Sequence, residues 1–170
     1  MRKRLFKNLF NAPVTEPLTP DAPGSLEAAG EALRGAIARR LGRSLAIRAV
    51  DAGSCNGCEL EIQALNNAYY DIERFGIRFV ASPRHADLLL VTGPVTHNMR
   101  EALERTYAAT PAPKWVVAVG DCGAGCGVFE GSYACVGAVS NVIPVDLVIR
   151  GCPPTPVDLL RGLTRLLARP

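Results

Sequence analysis

The stretch "KWVVAVGDC" (residues 114–122) places an unbroken apolar run directly before a glycine and a cysteine. Short apolar runs rich in β-branched residues are typical of strands that are buried on both faces of a sheet. Four other stretches have a similar character. They are "SLAIRAV" (44–50), "IRFVAS" (77–82), "ADLLLVTG" (86–93) and "VDLVIRG" (145–151). We therefore predict five strands.

Helical patterns separate most of these strands. Apolar residues recur with helical spacing over 25–41, 58–75, 98–109 and 156–168. Strands that alternate with helices indicate parallel pairing through crossover connections. The sequence therefore predicts an α/β protein with a mainly parallel sheet, preceded by a helix that ends at Gly42.

The chain divides into an arm and one domain. Residues 1–23 contain four prolines, which break any helix, and their first ten residues carry four basic side chains. We expect an extended arm there. It could lie on an anionic membrane surface or in a groove of a partner, and a solvated, frayed terminus is an equally good interpretation. Residues 24–170 are predicted to form a single α/β domain.

The composition excludes some classes of function. With 48% hydrophobic and 21% charged residues, the chain of 170 residues is globular. Its net charge of +3 is too small to indicate binding to nucleic acid. A mean hydropathy of +0.14 is high, which indicates a face covered by a partner. The start lacks the features of a secretory signal peptide, so we expect a reducing, cytoplasmic location.

Four of the six cysteines follow predicted strands. Cys55 and Cys58 come after the first strand, Cys122 after the fourth and Cys152 after the fifth. The carboxyl ends of parallel strands share one edge of a sheet, so we expect these thiols to be neighbours. A thioredoxin-like dithiol would use only Cys55 and Cys58. A zinc site that pairs Cys55 and Cys58 with Cys122 and Cys126 would leave Cys152 without a role. One [4Fe–4S] cluster uses all four and is favoured.

The motifs "GSCNGCELE" (53–61), "VGDCGAGCGVFEGSY" (119–133) and "RGCPPTP" (150–156) carry a specific resemblance. They resemble those of the small iron–sulfur subunits of group 4 energy-converting [NiFe] hydrogenases, such as formate hydrogenlyase. The cluster-bearing subunit of respiratory complex I is similar, but it typically has adjacent cysteines in the first motif. The resemblance covers residues 44–167 and implies a flavodoxin-like, doubly wound fold.

The resemblance also implies a function. The chain would carry one [4Fe–4S] cluster on Cys55, Cys58, Cys122 and Cys152, beside a hydrogenase large subunit that holds nickel. It would pass electrons to ferredoxin-like subunits, and it would not turn over H2 alone. The complex would include membrane subunits and lie peripherally on the cytoplasmic side of the inner membrane. The alternative is a complex I-like, quinone-linked subunit with the same cluster and a nickel-free partner. A zinc-stabilised interaction module is a further alternative.

Three side chains have open roles. Glu61 resembles an acidic residue that in relatives is a candidate for proton transfer at the large-subunit interface. An ordinary solvated carboxylate is an equally good interpretation. Cys126 stands where relatives usually have glycine, and it is a buried thiol, an alternate ligand or a redox-sensitive site. We favour the buried thiol for Cys126 and for Cys135.

The glycine-rich loop around Cys122 lacks the lysine that a phosphate-binding P-loop needs.

Overall fold

In the computed structural model of the protein, residues 25–169 are described. The predicted arm therefore lies outside the described residues. The strands are β1 (Leu45–Asp51), β2 (Ile77–Phe79), β3 (Leu88–Thr92), β4 (Val95–Thr96), β5 (Trp115–Val119), β6 (Cys135–Gly137) and β7 (Leu147–Ile149). The helices are α1 (Leu26–Leu41), α2 (Gly57–Ala64), α3 (His97–Ala109), α4 (Gly120–Gly125) and α5 (Pro156–Leu167).

The main sheet has the order β2-β1-β3-β5-β7, and all its pairs are parallel. Counted along the chain within this sheet, the order is 2-1-3-4-5, which is the flavodoxin-like arrangement. β4 and β6 form a separate antiparallel pair. The prediction of a doubly wound α/β fold is therefore confirmed.

The sheet is covered on both faces. Alternate residues of β3 point to opposite sides: Leu88 and Leu90 belong to one apolar cluster, and Leu89 and Val91 belong to the other. The first cluster includes residues of α1, α2 and α5, and the second includes Leu103 of α3. Because both faces are buried, the strands are apolar throughout instead of alternating with polar residues.

Capping residues set the bounds of the helices α1 and α5. The Ser25 Oγ accepts a hydrogen bond from the amide of Ala28 at 3.3 Å and so caps the start of α1. Gly42 ends α1 with a φ of +64°. At α5, Thr155 and Asp158 form a capping box in which each side chain accepts a bond from the other's backbone amide. These boundaries agree with the predicted helices.

The predicted helix over 58–75 is wrong, because α2 ends at Ala64. Asn67 interrupts it: its side-chain oxygen accepts hydrogen bonds from the amides of Tyr69 and Tyr70, each at 2.9 Å, and so forms a turn. A short 3-10 helix then buries Phe75 over Gly30, whose added Cβ would lie 2.2 Å from the ring. The tertiary packing of Phe75 thus outweighs the helical preference that the apolar spacing indicated.

Other predicted boundaries shift less. Strand β2 ends at Phe79 rather than at residue 82, where a 3-10 turn with Pro83 begins. β5 ends at Val119, and Gly120 starts α4. The pair of β4 and β6 was not predicted, because two- and three-residue strands carry too few residues for a pattern.

The edge of the sheet at the amino ends of the strands contains a buried carboxylate. Asp87 is 9% exposed and accepts two hydrogen bonds from Arg43, at 2.6 and 2.8 Å, and one from the Ala46 amide at 3.0 Å. Burial raises the pKa of Asp87, but the hydrogen bonds and the charge of Arg43 outweigh it and hold the pKa below its ordinary value. The pair joins the segment before β1 to β3.

Among residues 25–169, none of the helices has both the length and the apolar character needed to cross a lipid bilayer.

Candidate metal centre

The four cysteines that follow strands line one cavity. It has a volume of about 80 Å³, and Cys55, Cys58, Cys122 and Cys152 contribute to its wall together with glycine backbone. The thiols come from the connections after β1, β5 and β7, and Gly93 contributes from the end of β3. These are the carboxyl ends of parallel strands, where such sheets bind ligands.

The loop after β1 is shaped by its own polar groups. The Asp51 carboxylate accepts hydrogen bonds from the amides of Gly53 and Ser54, both at 2.8 Å. The Ser54 hydroxyl in turn accepts one from the Asn56 amide at 3.0 Å. Asn56 has a φ of +72°, a conformation that asparagine tolerates better than most residues, and α2 begins directly after it. Cys55 is therefore left exposed at the rim of the cavity.

Glu59, on α2, supports the first cysteine loop, a role that the sequence pattern does not predict. It accepts a hydrogen bond from the Ser54 hydroxyl at 2.5 Å and another from the hydroxyl of Thr92, which is 1% exposed. It therefore joins the first cysteine loop to the end of β3. Sequence alone offered no signal, since Thr92 is 33 positions away.

Gly120 leaves room for the sulfur of Cys58. Its φ is +82°, and an added Cβ would lie 2.7 Å from the Sγ of Cys58. Two residues later, Cys122 lies inside α4 and is 8% exposed. Only glycine combines this backbone conformation with this contact. The expected glycine-rich loop at Cys122 is thus the short helix α4.

The third connection is tied to α4. The Gly151 carbonyl accepts a hydrogen bond from the Asp121 amide at 2.9 Å, and the Gly151 amide donates to the Asp121 carboxylate at 3.4 Å. Cys152 follows, exposed, and its bond to Pro153 is cis. The two hydrogen bonds fix Gly151, the residue before Cys152, beside Asp121 of α4.

The electrostatic surroundings disfavour free thiolates. Burial, the Glu59 carboxylate and the three other thiols raise the pKa of Cys58 to about 12. Burial also raises the pKa of Cys122, and the charges of Cys152, Cys55 and Asp121 add to it, while a hydrogen bond from the Val128 amide opposes it. A cation in the cavity would reverse this balance, because metal ligation requires and stabilises thiolates.

The remaining predicted side chains lie apart from the cavity. Glu61 is half-buried on α2, and neither it nor Cys126 nor Cys135 lines the cavity wall. Over residues 25–169, no group of three or more Cys, His, Asp or Glu side chains is close enough to hold a single metal ion.

Comparison with known proteins identifies the family. The family described as "NADH ubiquinone oxidoreductase, 20 Kd subunit" matches residues 55–166. The chain belongs to this family. Its members are oxidoreductase subunits by that description, and the match spans all four cavity cysteines.

Individual relatives are similar over most of the chain. A Pyrococcus furiosus protein named "Probable membrane-bound hydrogenase subunit mbhJ" is 45% identical over 78% of this chain and 80% of that protein. The Escherichia coli "Formate hydrogenlyase subunit 7" is 41% identical over 85% of this chain and 57% of that protein. This chain thus spans little more than half of the E. coli protein.

Solved structures agree with the fold. A chain of the archaeal membrane-bound sulfane sulfur reductase complex has a TM-score of 0.66 and 37% identity, over 79% of this chain and 73% of that chain. A chain of an NAD+-reducing [NiFe]-hydrogenase has a TM-score of 0.57 and 22% identity, over 74% of this chain and 92% of that chain. The second likeness shows the fold alone.

Proposed function

We propose that this chain is the electron-transfer subunit of a membrane-associated [NiFe] hydrogenase complex, of the formate hydrogenlyase kind. It would carry one [4Fe–4S] cluster on Cys55, Cys58, Cys122 and Cys152. The observation that carries the proposal is the convergence of these four thiols, from three separate connections, on one cavity. Binding of one cluster would explain why residues nearly a hundred positions apart along the chain lie together there.

The chemistry of the donor set fits such a cluster. All four side chains are thiols, which are the ligands that [4Fe–4S] clusters take. Glycine backbone at Gly120 leaves room beside the Cys58 sulfur. The Val128 amide donates a hydrogen bond to the Cys122 sulfur, which is a contact that tunes cluster potentials. When bound, the cluster would accept and release one electron at a time.

Exposed apolar side chains near the centre fit a protein partner. Cys55 and Cys152 are exposed at the rim of the cavity. Leu60, on α2 two residues after Cys58, is 58% exposed, and Val128, whose amide bonds Cys122, is 76% exposed. Large apolar side chains are enriched where partners bind. The large subunit would cover this edge, so that electrons cross a short, dry gap.

The names of the relatives favour a hydrogenase over the nickel-free alternative. Two proteins that are 45% and 41% identical are named as subunits of hydrogenase complexes. The chain from the sulfane sulfur reductase complex, at 37% identity, favours keeping a quinone- or sulfur-linked complex with a nickel-free partner as the second candidate. Nickel measured in the purified complex distinguishes the two, because this chain alone would hold none.

The finer assignments are part of the same proposal. Electrons would pass on to a ferredoxin-like subunit, and the complex would lie peripherally at the cytoplasmic side of the inner membrane, held by membrane subunits.

Glu61 would move protons at the interface with the large subunit. A Glu61→Gln variant should then slow proton-coupled turnover but leave the cluster signal unchanged. A loss of the cluster would instead mean that Glu61 is structural.

The test is an anaerobic purification of the complex with measurement of iron, acid-labile sulfide and zinc, followed by electron paramagnetic resonance after dithionite reduction. Because the partner subunits would hold metal too, the difference between wild type and variant reports on this site. Serine variants of Cys55, Cys58, Cys122 or Cys152 should hold about four irons and four sulfides fewer than the wild type and lose one reduced-cluster signal. Cys126→Ser and Cys135→Ser are the matched controls and should match the wild type. Zinc in the wild type that the four serine variants lose, with iron and sulfide unchanged, would overturn the proposal.

A further inference from the structure

The strand β7 (Leu147–Ile149) is an edge of the main sheet. It pairs with β5 on one side, and on its other side it has no strand neighbour within residues 25–169. Charged side chains within a strand commonly protect an edge, and Arg78 in the middle of β2 is exposed at the opposite edge. The middle residue of β7 is instead Val148, which is 39% exposed. This edge is therefore open to a further strand.

Helix α5 lies directly against β7. An added Cβ on Gly162 would lie 2.4 Å from the Cδ1 of Ile149, so only glycine fits at this contact. Leu147 and Ile149 belong to the apolar cluster that includes α5. Val148 points to the other face of the sheet, because successive side chains of a strand alternate. The edge of β7 and the side of α5 together form a groove with a volume of about 200 Å³.

A row of arginines follows this groove. Arg161 and Arg165 line it, and they are four residues apart, so they lie on one side of α5 with a spacing of about 6 Å along the helix axis. Four residues further, Arg169 donates a hydrogen bond to the Asp146 carbonyl at 2.6 Å. Asp146 directly precedes β7, so this contact shows that the row runs along the strand.

The groove has an excess of positive charge. Its lining includes Arg150, Arg161 and Arg165 but only one carboxylate, that of Asp158. Asp158 lies 3.8 Å from Arg161, and Arg150 lies 3.7 Å from the Asp121 carboxylate. Arg165 forms no ion pair with any of residues 25–169. A ligand with carboxylates would complement this charge.

We propose that the β7 edge binds an extended segment of a partner subunit in which acidic and apolar residues alternate. The segment adds a sixth strand to the sheet, and its backbone forms hydrogen bonds with β7. Its acidic side chains point towards α5 and contact Arg161 and Arg165, since alternate residues of a strand are about 6.6 Å apart and so match the spacing of the arginines. Its apolar side chains point to the other face and cover Val148.

The position of β7 fits such a contact. The strand leads through Arg150 and Gly151 into Cys152, which lines the cavity of the proposed cluster. The docking site therefore adjoins the edge of the domain that the large subunit would cover. The proposal rests on the proposed function only in requiring that this chain has partner subunits.

Carbodiimide coupling in the purified complex tests the charge contact. The reagent joins an amine to a carboxylate that touches it, and it does not couple arginine. In an Arg165→Lys variant we expect a new amide bond to an aspartate or glutamate of a partner subunit, found by mass spectrometry and absent from the wild type. The linked residue should have apolar neighbours on both sides and a second acidic residue two positions away.

Arg105→Lys is the matched control for this reaction. Arg105 is exposed and pairs with Glu101 on the same helix, α3. This variant should therefore form a link within the chain, which shows that the reagent reacts with such pairs in the complex.

Amide hydrogen exchange tests the backbone pairing. Arg165→Glu should make residues 147–149 exchange about tenfold faster in the complex, because a close charge pair across an interface couples by at least about that factor. Arg165→Lys should leave their exchange unchanged. Unchanged exchange of the central strand β3 in both variants would show that the domain remains folded.

Three outcomes would overturn the proposal. In the first, Arg105→Lys forms its link but Arg165→Lys links to no partner subunit. In the second, the linked carboxylate belongs to another copy of this chain, which would mean that copies contact each other there. In the third, residues 147–149 exchange equally fast in the wild type and in Arg165→Glu, which would mean that the arginines only keep other strands away. Metal and sulfide contents, which decide the proposed function, enter none of these outcomes.

Discussion

Gly120→Ala provides the most informative single test of how the centre is built. An added Cβ at position 120 has two independent unfavourable effects. The first is the backbone: a φ of +82° costs a residue with a Cβ about 1–2 kcal/mol. The second is the contact, because the new Cβ would lie 2.7 Å from the Sγ of Cys58. That sulfur ends a short side chain and can rotate away, so the contact adds little to the cost in stability but displaces the sulfur.

The chain offers controls that separate the two costs. Gly42 has a φ of +64° with nothing within 4 Å of an added Cβ, so Gly42→Ala carries the backbone cost alone. Gly125, in the same helix as Gly120, has no positive φ and nothing within 4 Å, so Gly125→Ala carries neither cost. We expect Gly120→Ala and Gly42→Ala to be destabilised similarly, with Tm falling by about 2–4 °C per kcal/mol, and Gly125→Ala to be unchanged.

Iron content then distinguishes the variants. Gly42→Ala and Gly125→Ala should keep the iron and sulfide of the wild type, whereas Gly120→Ala should lose most of both. Urea unfolding followed by circular dichroism gives the stabilities, and colorimetric iron and sulfide assays give the occupancy. If Gly120→Ala keeps its iron and is destabilised no more than Gly42→Ala, the close approach of the Cys58 sulfur has no role in binding.

Further predictions concern other residues of the fold. Asp87→Asn should cost about 1–3 kcal/mol, because it weakens the bonds from Arg43. The depressed pKa of Asp87 means that its stabilisation is present above the unfolded pKa and lost as pH falls through the folded one, so the variant should show a flatter acid limb in urea unfolding between pH 3 and 7; parallel limbs would contradict this. Cys126→Gly should be neutral or stabilising by up to about 1 kcal/mol, since it relieves a φ of +74°, and a clear loss of stability would contradict it. Glu59→Gln should lower the pKa of Cys58 in the cluster-free chain, as seen by thiolate absorbance during titration, because the Glu59 charge raises that pKa; an unchanged titration would mean that burial and the other three thiols set it.

Much of the fold could be predicted because it depends on repeated local patterns. The apolar runs at residues 86–93 and 114–121 predicted strands buried on both faces, and β3 and β5 lie there. Gly42 predicted the end of α1. Each apolar run is a sum over several neighbouring residues, and such a sum is robust to any single exception.

The helix predicted over 58–75 ends early, at Ala64, because the local preference for helix there is weak and contacts with a distant residue outweigh it. The Asn67 turn and the burial of Phe75 over Gly30 stand in the place of a continued helix. Gly30 is 45 positions earlier in the chain, so no window of neighbouring residues contains this information.

For the centre, sequence by itself determined which thiols are available and at which strand ends they stand, because parallel strands end at a shared edge. Only the tertiary structure decided that Cys55, Cys58, Cys122 and Cys152 share one cavity and that Cys126 turns away towards β6. It also brought Glu59 to Thr92. Spacing along a chain fixes a residue's place on its own element, whereas distances between side chains on different elements depend on how those elements pack.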